Sequence, residues 1–82
     1  MNLFKENQRL RERLVTNAVE RYLLTEFDRN PFADPNIPTS VRMISEDLKM
    51  SQEEIITVFR DYKIYGMQML RLDGMHFIRI TH

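Results

Sequence analysis

Apolar residues along the first third of the chain recur in steps of four. One row is Leu10, Leu14, Ala18 and Tyr22, and a second is Val15, Val19, Leu23 and Phe27. On a helix these rows lie side by side as one wide apolar stripe. No proline or glycine interrupts them, so the spacing predicts a long amphipathic helix over about 6–27. Arg9, Arg11, Arg13 and Arg21 fall mostly on its wet side.

Residues 28–40 break the period. Pro31, Pro35 and Pro38 fix φ and remove amide donors, and Asn30, Asp34 and Asn36 favour turns. The stretch reads as a loop, with room for a short strand near Ile37. Helical spacing returns at Val41, Ile44 and Leu48, with Thr39 or Ser40 available as a cap, which predicts a second helix over about 41–49. Ser51-Gln52-Glu53-Glu54 has the form of a capping box: the serine side chain accepts from the Glu54 amide and the glutamate reaches back. Ile55, Val58, Phe59 and Tyr62 continue the period, and Gly66 stands where a helix end takes positive φ. A third helix over about 51–65 follows.

The tail alternates. Asp73-Gly74 separates two apolar-rich runs, a strong signal for a hairpin over 68–80 whose type I′ turn needs two residues at positive φ. With a two-residue loop, Leu72 faces Met75 and Leu70 faces Phe77 on one side. On the other side Arg71 faces His76, Met69 faces Ile78 and Met67 faces Ile80. Both sides therefore carry apolar residues. One side must pack on the core, and the other is a candidate protein interface or is covered by the first helix or by Leu3-Phe4.

The order helix, loop, helix, turn, helix, hairpin is that of an α+β winged helix-turn-helix: three helices followed by a C-terminal β-hairpin wing. Eighty-two residues support one such domain, spanning 1–82. A domain of this size buries only about 60–65 % of its unfolded surface, so it needs most of its apolar residues in one core. Cysteine is absent, which rules out disulfides and thiolate metal sites and fits a reducing cytoplasm. No apolar run approaches the ~20 residues of a membrane span, and the charged start, Met1 to Arg13, does not read as a signal peptide. A cytoplasmic location is the expectation.

The stretch from Val41-Arg42-Met43-Ile44-Ser45-Glu46-Asp47-Leu48-Lys49-Met50-Ser51 through Gly66-Met67 resembles the DNA-binding domain of GntR-type bacterial regulators. It runs without gaps for about 27 residues, with Ile37-Pro38 similar to that family's Leu-Pro lead-in. The resemblance implies that the helix opening at Ser51 enters the major groove and that the hairpin touches the backbone or minor groove. It places Arg42 near phosphate and Ser51 near the backbone. Where the family commonly has arginine, this chain has Gln52 and Ile56; Glu53 and Glu54 replace small or hydroxylic residues, and Lys49 replaces a turn glycine. The ligand-sensing domain of such regulators has no counterpart in these residues, so no small-molecule effector is expected.

Charge changes the picture. Twelve Lys and Arg balance twelve Asp and Glu, whereas duplex-binding proteins usually carry a basic excess. Two readings stay open. In the first, a small regulator, dimeric in its simplest form, binds double-stranded DNA. Its DNA-facing set is Arg42, Lys49, Ser51, Gln52, Glu53, Arg60, Lys63, Arg71, His76 and Arg79. Gln52 is suited to adenine, and an acid such as Glu53 can accept from cytosine or simply favour the helix start. In the second, the same fold is an adaptor or inhibitor that meets a protein through Ile56, Met69, Ile78 and Ile80. His76 and His82 are too few and too scattered for a metal site, and no nucleophile-base pairing, phosphate loop or paired carboxylate stands out. Neither a cofactor nor catalysis is expected.

Overall fold

The computed structural model describes residues 3–30, 32, 34 and 36–81, and the side chains of residues 3–6 and 27 fall outside that description. The elements are α1 (Leu3–Arg29), β1 (Thr39–Ser40), α2 (Val41–Leu48), α3 (Gln52–Asp61), β2 (Met67–Leu72) and β3 (Met75–Ile80). The three strands form one antiparallel sheet in the order β1-β3-β2. This is the α+β order of a small winged helix, with a third strand added to the expected hairpin.

The starts of α2 and α3 are each set by a local side chain. Ser40, extended at φ −64° and ψ 139°, caps α2 by accepting from the Met43 amide at 3.1 Å. Ser51 caps α3 by accepting from the Glu54 amide at 3.0 Å. The reciprocal half of the expected capping box is replaced: the Glu54 carboxylate turns to Arg11 on α1, 3.4 Å away. Between the helices, Lys49 carries the left-handed conformation at φ 56°, and the Ser45 hydroxyl donates to the Met50 carbonyl, which closes the turn.

Two helices differ from expectation in their extent. The first helix is longer than 6–27, because nothing in its ends stops it before Asn30. The third is shorter than 51–65. It ends at Asp61, and Tyr62 turns extended at φ −123° and ψ 146° so that the chain can reach the sheet. Gly66 does hold positive φ (85°), but in the turn that leads into β2, where its carbonyl accepts from the Thr81 amide at 2.9 Å. It is a strand-entry glycine rather than a helix cap.

The hairpin register is the one the Asp73-Gly74 loop dictates: Leu72 opposite Met75, Arg71 opposite His76, Leu70 opposite Phe77 and Met69 opposite Ile78. Asp73 and Gly74 sit at φ 51° and 78°, as a type I′ turn requires. β1 extends the sheet on the other side of β3, pairing Thr39 with Ile78 and Ser40 with Phe77. The short strand therefore falls at 39–40, two residues beyond Ile37. The Asn36 side-chain amide donates to the Ile80 carbonyl and ties the preceding loop to the sheet end. Pro31 and Pro35 lie outside the described residues.

The core joins Val15, Val19 and Leu23 of α1 with Val41 and Ile44 of α2, Ile55 and Val58 of α3, and Met67, Ile78 and Ile80 of the sheet. The row Val15-Val19-Leu23 is buried as expected, while the neighbouring row splits. Tyr22 packs on the core and donates to Asp47 Oδ2 of α2 at 2.6 Å, but Leu10 and Leu14 are 58 % and 61 % exposed. Phe27, the last member of the buried row, has its side chain outside the described set. Burial first, and then the bond to Asp47, hold the Tyr22 phenol well above its usual pKa.

Candidate nucleic-acid interface

The start of α2, the start of α3 and the hairpin tip converge. Ser40, Arg42, Gln52, Gly74, Met75 and His76 line one cleft between them. The convergence is a product of the sheet. β1 carries Ser40 into register with Phe77, one residue past His76, and α2 begins at the next position. Arg42 therefore projects from the first turn of α2 beside the wing, while Gln52 opens α3 across from it.

Of the residues singled out in the sequence, Arg42, Gln52 and His76 meet in this cleft. Arg71 lies directly across the hairpin from His76 and is exposed. Ser51 is exposed next to Gln52, its hydroxyl engaged as the α3 cap. Glu53 is exposed on the first turn of α3 and brings a negative charge to the same end. Ser40, Gly74 and Met75 were not anticipated as cleft residues. Ser40 was visible only as a cap, because its pairing with the hairpin spans more than thirty residues of sequence.

The remaining bases are dispersed. Arg79 stands on the opposite face of the sheet from His76 and donates through two of its nitrogens to Gln68 Oε1, at 2.9 and 2.8 Å. Arg60 is paired with Asp61 at 3.0 Å, which raises its pKa above the usual guanidinium value. Lys63 lies over the Tyr65 ring, 5.8 Å from its centre, and Lys49 is exposed at the α2–α3 turn. Arg42 itself is paired with Glu46 at 3.2 Å, but both side chains are about two-thirds exposed. Exposed pairs contribute roughly 0–1 kcal/mol, so a phosphate can take Arg42 from Glu46 at little cost.

The set expected at a protein interface is largely internal. Ile78 and Ile80 are 0 % and 1 % exposed, and Met69 and Ile56 pack half-buried against the core. The hairpin face carrying Met69, Ile78 and Ile80 is the one that meets the helices. The outward face is the other: Gln68, Leu70 and Leu72 opposite Arg79, Phe77 and Met75. Leu72 and Met75, 56 % and 50 % exposed at the tip, are the apolar residues this face presents to solvent.

Among the described residues no group of three or more His, Asp or Glu side chains could hold a metal ion, and no helix is long and apolar enough to cross a membrane. No buried side-chain polar atom among them lacks a hydrogen-bond partner. No family model, curated protein or solved structure matches the chain.

Proposed function

We propose that this chain is a small DNA-binding regulatory protein of the winged helix-turn-helix kind, similar to the DNA-binding domain of GntR-type regulators. The observation that supports this reading is the cleft where Arg42, Gln52 and His76 come together at the α2 start, the α3 start and the wing tip. A duplex docked there would receive Gln52 at base edges from the N-terminal turn of α3, in the manner of a recognition helix. Arg42 and Arg71 would meet phosphates on either side, with His76 between them. Ser51 keeps its cap, so its contribution is to hold the first turn of α3 in place.

Net charge is zero, so affinity rests on this local set rather than on a field over the whole molecule. Binding to mixed-sequence duplex DNA, followed by fluorescence anisotropy at low and moderate salt, tests the reading. Micromolar binding that weakens with salt is expected, and Arg42→Ala should reduce the salt slope by about one counterion. No binding at low salt would sink the DNA reading.

The alternative is a winged-helix adaptor that binds a protein. Glu53 at the start of α3, together with exposed Met43, Leu72 and Met75, favours it. A complex captured on the chain that survives nuclease and is lost with Leu72→Lys would establish that reading in place of the first.

A further inference from the structure

α1 has a second apolar face that its own domain does not use. Val15, Val19 and Leu23 point into the core. On the opposite side of the helix, about 180° away at 100° per residue, lie Leu10, Leu14 and Leu24, with Asn7, Asn17 and Arg21 between them. All six are exposed. Their spacing alternates three and four: 7, 10, 14, 17, 21, 24. This is a heptad seam, with Asn7, Leu14 and Arg21 at a and Leu10, Asn17 and Leu24 at d. The sequence places Leu3 at the preceding d position.

We infer that this seam pairs two copies of the chain through a parallel, in-register α1–α1 coiled coil. The geometry supports a second copy as the occupant for three reasons. First, a sustained 3-4 spacing complements itself, because each a or d layer meets the same layer of an identical helix. Leucine then lies on leucine at 10, 14 and 24, and asparagine lies on asparagine at 7 and 17, where amides can hydrogen-bond to each other. Second, the flanking charges agree with the parallel arrangement. In it, g positions meet e positions five residues on in the other copy: Glu6 with Arg11, Arg13 with Ala18, and Glu20 with Thr25. None of these g–e pairs is like-charged. The parallel register does stack Arg21 on Arg21 at one a layer, where the long stems carry the two guanidinium groups outward to the rim. Third, the helix is long enough. Its 27 residues span about 40 Å, most of the 47 Å long axis of the molecule. Leu10 and Leu14 also line an open hollow with Val15 and Met50, so apolar surface continues past the seam.

The pairing stands apart from the DNA reading and is measured without DNA. Sedimentation equilibrium of the full chain, from low to high micromolar concentration, should show twice the chain mass. The double variant Leu10→Lys/Leu14→Lys should stay at the monomer mass with an unchanged circular dichroism spectrum, because both sites are exposed. Leu72→Lys/Met75→Lys on the wing should leave the dimer intact. The natural chain has no cysteine, so Asn17→Cys treated with oxidised glutathione should give a disulfide-linked dimer, the two d positions being adjacent only in the parallel register. A wild-type chain that stays monomeric at high micromolar concentration, a dimer that survives the double lysine change, or a dimer that Asn17→Cys fails to cross-link would each overturn the pairing.

Discussion

Of the four described residues at positive φ, Gly66 and Lys49 sit there for opposite reasons of composition. Gly66 reaches φ 85° in the turn into β2, where its carbonyl also receives the Thr81 amide. A Cβ strains that conformation, so Gly66→Ala should cost about 1 kcal/mol or more, lowering Tm by roughly 4–8 °C. Lys49 reaches φ 56° at the α2–α3 turn despite having a Cβ. Relieving that strain, Lys49→Gly should stabilise by about 0.5–1 kcal/mol, less than the strain itself because glycine also loosens the unfolded chain. Thermal melts of the two variants should therefore move in opposite directions. A fall in Tm for Lys49→Gly would mean that the side chain holds the turn in a way its exposure does not suggest.

Between elements, the contact that locks α1 to α2 outside the core is the Tyr22 hydroxyl on Asp47. Tyr22→Phe removes one hydrogen bond and should cost about 0.5–1.5 kcal/mol. The bond also makes stability pH-dependent, and the sign follows from the raised phenol pKa. Above pH about 10, the ordinary phenol value, the unfolded chain releases this proton while the folded one retains it. The unfolded state then binds fewer protons, and stability falls as pH rises. The contribution is complete below pH about 10 and disappears as pH climbs through the folded-state value. Denaturant melts across pH about 9 to about 11 should show the wild type losing stability more steeply than Tyr22→Phe. Parallel loss in the two proteins would remove Tyr22 as the cause.

At the scale of the whole molecule, α1, α2, α3, β2 and β3 share one core, so they should unfold together. Ile44 sits at its centre with no exposure. Ile44→Ala should cost about 2–5 kcal/mol, a large share of the 5–15 kcal/mol typical of a domain, and lower Tm by at least about 10 °C. Far-ultraviolet circular dichroism, which follows the helices, and tyrosine fluorescence should report the same transition. Two separate transitions would divide the core into independent parts. Zero net charge acts at this scale too: under the DNA reading proposed above it supplies no net attraction for a polyanion, so affinity would have to come from the wing–helix cleft.

Local chemistry made the elements readable in advance. Serine before a helical run, Asp-Gly between two alternating runs and fours-spacing in α1 act within a few residues, so Ser51, the hairpin register and the buried row Val15-Val19-Leu23 followed from the chain alone. The α+β class and the helix-helix-helix-hairpin order came from the same signals. What the chain alone left open were choices between equivalent faces. β2 and β3 carry apolar residues on both sides, and a period of two does not say which side is inside. Packing chose Met67, Ile78 and Ile80, and moved Ile78 and Ile80 from a supposed interface into the core. α1 likewise carries leucines on two sides, and only the position of the other helices showed that Leu10 and Leu14 look outward. The cleft itself was decided by β1, because two residues paired with β3 draw Ser40 and Arg42 to His76 across a separation that no local rule spans.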